Sequence, residues 1–228
     1  MTETQSATET QGRTTQGETA ITTVEQLVEA LGGEPGDRTR TKDHTRLQPL
    51  EREWIAASPF CIVATSGADG TCDASPKGDP AGRLAHVLDD TTLVIAERAG
   101  NKRADGYHNI LQNPHVRLIF LVPGRNETLR INGRARLVGD APWFDRLIVK
   151  GHRPVLALVV EIEQIFLHCQ KAFLRSELWR PETWHPEALP SHACIVKETH
   201  PSPGATLAEL EAYYGESYLK GLYPTTSE

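Results

Sequence analysis

The sequence predicts a mainly β, α+β fold: an antiparallel sheet of six to seven strands rolled into a small closed or split barrel, with peripheral helices. Three observations predict it. Between Phe60 and Ile162 the β-branched and aromatic residues fall in seven short runs rather than along helical stripes. The runs are separated by Gly, Asp, Asn and Pro, and links this short favour antiparallel pairing. Few long helical segments lie between them, which argues against a doubly wound sheet with its crossover helices. At 228 residues, 39% of them apolar, the chain can bury one good core, and one domain is expected.

Residues 1–20 are rich in Thr, Gln, Glu and Gly and offer almost nothing to bury, so they read as a disordered tail before a folded domain over 21–228. Thr22 with Glu25 reads as a capping box that opens a helix over Val24–Leu31, stopped by Gly32-Gly33. Pro49–Ala57 reads as a second helix with Leu50 and Trp54 on one face, ended by Ser58-Pro59. The seven β runs follow: Phe60–Thr65, Thr71–Ala74, Ala85–Leu88, Thr91–Ala96, Val116–Val122, Glu127–Val138 and Pro154–Ile162. Asp89-Asp90 marks a tight hairpin. Lys102–Gln112 reads as a helix stopped by Asn113-Pro114, and Asp140-Ala-Pro-Trp as the start of a short one. Glu163–Trp179 carries helical spacing, and Thr206-Leu-Ala-Glu209 opens a last capped helix.

Composition excludes several classes of function. A formal charge of −6 with no basic run argues against a nucleic-acid surface, because phosphate neutralisation needs clustered Lys and Arg. No segment approaches the roughly 20 apolar residues of a membrane span. The N-terminus lacks the basic and apolar regions of a signal peptide, so a cytoplasmic location is expected. Cys61, Cys72, Cys169 and Cys194 form no C-x-x-C pair and read as reduced thiols, and none of the nine histidines has a zinc-like partner spacing.

Two turn-rich stretches carry the functional reading. In Asp73–Gly82, Gly78, Pro80 and Gly82 are expected to prevent a regular element and to leave main-chain amides free for a flat, polar-edged molecule. In Glu97–Arg103, Arg98 and Arg103 flank Gly100 and Asn101, a cluster of donors suited to a phosphate. The plainer alternative is that both arginines are solvated charges paired with Glu97 and Asp105. Thr128, Arg130 and Asn132 alternate along one strand face, which is also how the wet side of a half-buried sheet looks. Lys171, Arg175 and Trp179 recur every four residues and would share a helical face, where stacked like charges favour an anion opposite; pairing with Glu161, Glu163 or Glu177 is the alternative. His168, one turn before Lys171, is the best proton donor by its near-neutral pKa, although a lone His is more often structural.

Ser75-Pro-Lys-Gly-Asp79, Gly100-Asn-Lys-Arg103, Asn109-Ile-Leu-Gln-Asn-Pro114, Pro123-Gly124, Thr128-Leu-Arg-Ile-Asn-Gly-Arg-Ala135 and His168-Cys-Gln-Lys-Ala172 occur in this order. Together they resemble the pyridoxamine-phosphate-oxidase-like family of FMN-binding split-barrel proteins, and within it a bacterial branch of FMN-dependent enzymes. The resemblance runs from about Val24 to about Pro181. It implies FMN as cofactor, with Ser75, Pro76, Lys77 and Gly78 at the isoalloxazine and Arg98, Asn101 and Arg103 at the phosphate. It further implies that the strand of Thr128 and Arg130 touches the ring. A C-terminal segment bearing Lys171, Arg175 and Trp179 would complete the site of a partner subunit in a homodimer. Such a protein is expected to be an FMN-dependent oxidoreductase acting on a small organic substrate. The family's C-terminal Trp and Arg segment that grips pyridoxal phosphate has no counterpart after Trp184, so oxidation of vitamin B6 is not expected. NAD(P)H enters only as a candidate donor, since no G-x-G-x-x-G follows a strand. A flavin carrier without turnover, a deazaflavin or haem protein on the same barrel, and a flavin-assisted hydrolytic or denitrating enzyme are the competing expectations.

Overall fold

The structure, a computed structural model, describes residues 17–200 and 204–224. Residues 1–16 of the expected N-terminal tail lie outside them. The chain divides into two compact units, one up to Lys42 and one from Asp43 onward. The first carries helix α1 (Val24–Ala30) and a single turn, α2 (Asp37–Arg40). The α1 cap sits one residue later than expected: Thr23, not Thr22, accepts from Gln26 N at 3.2 Å, and Gln26 closes the box in place of Glu25.

The second unit is built on a seven-stranded antiparallel sheet with several helices around it, an α+β split barrel. Its strands are β1 (Phe60–Ser66), β2 (Cys72–Gly78), β3 (Ala85–Val87), β4 (Thr92–Ala96), β5 (His115–Leu121), β6 (Thr128–Val138) and β7 (Ala157–His168). Their spatial order is β2-β1-β5-β6-β7-β4-β3, with hairpins β1–β2 and β3–β4 at the two edges. All seven sequence runs are strands, the β3–β4 turn falling at Asp89-Asp90 as its residues require.

Side chains alternate across this sheet, and one alternation supplies the core. On the inner side Val63, Leu118, Ile131 and Ile165 run in one row and Phe120 pairs with Leu129 in another, all nearly inaccessible to water. Burying each such side chain contributes about 1.5–3 kcal/mol. Helix α3 (Pro49–Ala57) closes one end with Ile55 and Glu51, while Leu50 points to solvent, contrary to the expected Leu50–Trp54 face. Glu51 turns inward because it serves both its own cap, accepting from Gln48 N at 2.9 Å, and His44 at 2.8 Å. Strand β4 and the start of β7, residues 157–160, are buried on both faces, because Val94, Ala96, Ala157 and Val159 meet Phe144 and Leu147 of a 3₁₀ turn over Phe144–Leu147. That explains the unbroken apolar run at Leu93–Ala96, which shows no alternation.

Three expected elements are corrected. Strand β2 continues to Gly78 through Pro76, because it is an edge strand and a missing amide is tolerated there. Strand β7 continues to His168, so Glu163–His168 is strand rather than helix; cross-strand pairing with β6 from Val138↔Ala157 to Thr128↔His168 overrides the local periodicity. Helix α4 (Asp105–Gln112) begins three residues later than Lys102, whose φ of 62° is left-handed. Beyond β7 lie α5 (Lys171–Ser176), α6 (His192–Thr199), α7 (Leu207–Tyr213) with the expected Thr206/Glu209 capping box, and α8 (Glu216–Lys220). Among the described residues no helix is long and apolar enough to cross a membrane.

The β6–β7 ladder shifts register between Asn132 and Gly133, leaving Glu163 as an extra residue on β7. A Cβ on Gly133 would lie 2.1 Å from the Glu161 carbonyl oxygen. Gly133→Ala is therefore expected to destabilise the fold by about 2 kcal/mol or more and to lower Tm by about 5 °C. A thermal melt within about 1 °C of wild type would show that the bulge accommodates a side chain.

Candidate functional site

Strand β2 stands at the sheet edge with one side paired to β1 and the other free. Between that strand, the segment after β4 and the start of α4 lies a cavity of about 400 Å³, within the range of small-molecule sites. Its walls include Ser75, Pro76, Lys77, Gly78, Arg98, Asn101 and Arg103, so the two expected stretches, some twenty residues apart in sequence, form one site. Alternation divides the β2 residues. Asp73, Ser75 and Lys77 pair with Thr65, Val63 and Cys61 on the inner face, whereas Pro76 and Gly78 turn their Cα to the outer face and reach the cavity through backbone.

The charges in the cavity are matched. Lys77 Nζ donates to Glu97 Oε2 at 2.6 Å and to the Tyr107 hydroxyl at 3.0 Å, and Tyr107 in turn donates to Glu97. Burial first, then this carboxylate, pushes the Tyr107 hydroxyl well above its ordinary range. Arg98 donates from Nε to Asp79 Oδ2 at 2.7 Å and from Nη2 to the Leu147 carbonyl at 2.9 Å. Its partner is thus Asp79 rather than Glu97. Arg103 is 78% exposed and donates to Asp105 at 2.5 Å, while Asn101 accepts from the Arg103 amide at 2.9 Å. The Arg98–Asp79 pair is nearly dry, with Asp79 2% exposed; the Arg103 pair is a surface contact of about 1 kcal/mol or less. Arg103 can exchange Asp105 for another anion at small cost, and Arg98 cannot.

Sequence reading did not single out Glu97, Tyr107 and Asp79 as site residues. Glu97 and Asp79 lie inside the two stretches, and an acid beside Lys and Arg in a loop was a visible signal. Tyr107 looked like one more residue of a helix. Next to the arginine, burial and the Arg83, Arg98 and Arg146 charges push the His86 imidazole below its usual value. The Cys61 thiol, opposite Lys77 in the ladder, is raised to about 12 by burial.

The remaining expected residues do not line this cavity. Thr128, Arg130, Asn132, Phe166 and His168 lie on the outer face of β6 and β7. Pairing continues their row across five strands as Pro76, Ile62, Ile119, Arg130 and Phe166. Arg130 sits 5.1 Å above the Phe166 ring, and its Nη1 lies 3.4 Å from His168 Nδ1. A guanidinium only donates, so in this contact Nδ1 is the acceptor. His168 is on a strand opposite Thr128, not one helical turn before Lys171. Lys171 and Arg175 share α5 and are exposed, but Glu177, left-handed at φ 51°, ends the helix and takes Trp179 off that face. Trp179 stacks on Phe173 at 5.9 Å and donates to the Arg125 carbonyl at 2.7 Å.

Fold and motifs together define a split-barrel protein with a polar cavity at a sheet edge. The chain belongs to the pyridoxamine 5'-phosphate oxidase family, whose model matches residues 47–169, more than half of the sequence. No curated protein matches it. Among solved structures it is similar to HupZ from Group A Streptococcus, at 21% identity over 53% of this chain and 93% of that one, with a TM-score of 0.43. It is also similar to an FMN-binding protein from Syntrophomonas wolfei subsp. wolfei, at 14% identity over 53% and 89% of the two chains, TM-score 0.40. A third is a protein from Clostridium acetobutylicum related to general stress protein 26, at 17% identity over 52% and 85%, TM-score 0.40.

Replacing Asp79 by Ala would leave the Arg98 guanidinium buried without its counter-charge, at a cost of about 3–5 kcal/mol. Asp79→Ala is expected to lower Tm by about 10 °C. A melt unchanged from wild type would show that this ion pair is not a structural support of the cavity wall.

Proposed function

We propose that the protein is an FMN-dependent oxidoreductase, homodimeric and cytoplasmic, that acts on a small organic substrate. The observation that carries this reading is the single cavity formed by Ser75, Lys77, Arg98, Asn101 and Arg103. The residues fit the cofactor in three respects. The free edge of β2 offers main-chain donors and acceptors to a planar, polar-rimmed ring. Lys77, which lines the same cavity, is a cation that would offset the negative charge developing on a reduced ring. Arg103 is a cation whose present partner is easily exchanged, and Arg98 Nη1 is a buried donor with no partner.

Bound FMN would supply the hydride or single-electron chemistry. The chain's own groups would bind, orient and protonate. Lys77 would hold positive charge at the ring, its field moderated by Glu97 and Tyr107. Arg103 would take the phosphate. His168, at the exposed end of β7, is the proposed proton donor, acting from its protonated form.

That acid, with Thr128, Arg130, Lys171, Arg175 and Trp179, belongs on this reading to the second half of a site completed by a partner copy. Two features of the outer face support a partner there. In the row Pro76, Ile62, Ile119, Arg130 and Phe166, every residue but Arg130 is apolar where a solvated sheet face would be mostly polar. Arg130 Nε and Asn132 Oδ1 on the same face are buried and lack a hydrogen-bond partner.

Arg103→Ala is expected to leave stability within about 0.5 kcal/mol of wild type and to weaken FMN retention at least about tenfold, because only an exposed ion pair is lost from the fold. Cofactor identity is read by mass spectrometry after mild denaturation. Turnover is read by reducing the holoprotein with NAD(P)H and reoxidising it with quinones or nitroaromatics. Flavin that cannot be reduced and reoxidised under these conditions would make the protein a carrier, and an unchanged FMN titration would remove Arg103 from the phosphate site.

A further inference from the structure

We propose that Tyr223, near the C-terminus and outside the segment matched by the family model, is a positioning residue: acting through Asp79, it holds Arg98 ready for an anionic group of the ligand in the cavity. This rests on the reading of the cavity as an FMN site.

Both carboxylate oxygens of Asp79 are engaged. Oδ2 accepts from Arg98 Nε at 2.7 Å, and Oδ1 accepts from the Tyr223 hydroxyl at 2.7 Å. A carboxylate held at both oxygens cannot pivot, and the guanidinium bonded to it is fixed in plane and angle. The Leu147 carbonyl takes Nη2 at 2.9 Å from the side of the second apolar cluster. Two of the guanidinium's three nitrogens are thereby committed to protein acceptors. The third, Nη1, is buried and without a partner, on a residue that lines the cavity. An unmet donor on a charged, buried group is costly in isolation, and an acceptor oxygen from a ligand would offset that cost.

Tyr223 is itself held from several sides. Its ring is within reach of two cations, with Lys150 Nζ 5.1 Å and Arg98 Cζ 6.0 Å from the centroid. The next carbonyl, that of Pro224, lies 2.8 Å from His152 Nδ1; a carbonyl only accepts, so Nδ1 of this buried histidine donates. Residues 223–224 thus strap the loop at 149–153 to the cavity wall. Burial and the neighbouring Asp79 raise the Tyr223 hydroxyl to about 12, so it remains a donor at any working pH.

The test uses full-length protein and two probes, FMN and riboflavin, titrated by flavin fluorescence quenching. Tyr223→Phe keeps the ring and removes the hydroxyl. It is expected to weaken FMN binding about three- to tenfold, to leave riboflavin binding within about twofold, and to have no further effect in an Arg98→Gln background. Deleting residues 222–228 should reproduce the same pattern. Equal losses for FMN and riboflavin, or a Tyr223→Phe loss that persists undiminished without Arg98, would reduce the contact to general structural support and overturn the role. FMN binding identical to wild type would also overturn it while leaving the cofactor reading intact. Absence of FMN binding by wild type would overturn both.

Discussion

The period of two along a β-strand is the constraint on which the rest of this protein depends. Because successive side chains point to opposite faces, the same sheet that buries Val63, Leu118, Ile131 and Ile165 must present Ile62, Ile119, Arg130 and Phe166 on its other side. Lys77 and Ser75 follow the inner alternation, and Arg130 and His168 the outer one. No rotamer change brings these sets together within one chain. A site using both has to recruit the outer set from elsewhere, and a second copy is the simplest source. The proposed homodimer is thus a consequence of register as much as of surface chemistry.

The cavity wall depends on packing far from it. Strand β4 and the start of β7 are buried on both faces, and the 3₁₀ turn that covers the outer one places the Leu147 carbonyl beside Arg98. Asp79, at the end of the edge strand, accepts from Arg98 and from Tyr223, so three distant parts of the chain converge on one guanidinium. Lys77 is treated differently, sharing its protons with Glu97 and Tyr107. The result is two buried or half-buried charge clusters with fixed geometry and, in Arg103, one exposed cation that can change partners. Fixed charges suit a ring whose electronics must be tuned, and an exchangeable cation suits a phosphate that must enter and leave.

The strands were legible in the sequence because hydrophobic period and Gly, Pro and Asp punctuation agree over Phe60–Val138. The cavity was legible because its two motifs are each contiguous. What failed was local reasoning about elements that tertiary pairing decides. Glu163–His168 carries helical spacing, yet five of its six residues pair with β6 and keep it extended. Gly78 looked like a strand breaker, yet β2 runs through Pro76 to Gly78, because an edge position removes the penalty. Trp179 follows Arg175 by four residues, but a left-handed Glu177 between them breaks the helical register. Tyr223 left no local trace, since its meaning lies in an acceptor 144 residues away.

The account stands or falls on whether two copies share each site. A heterodimer assembled from an Arg103→Ala chain and a Lys171→Ala/Arg175→Ala chain, purified through two different affinity tags, isolates that question. The account predicts that neither parent homodimer retains FMN while the heterodimer binds it at one of its two sites, where both halves are intact. A heterodimer that binds no more FMN than its parents, or a Lys171→Ala/Arg175→Ala homodimer that binds fully, would show that the cavity of a single chain is the whole site.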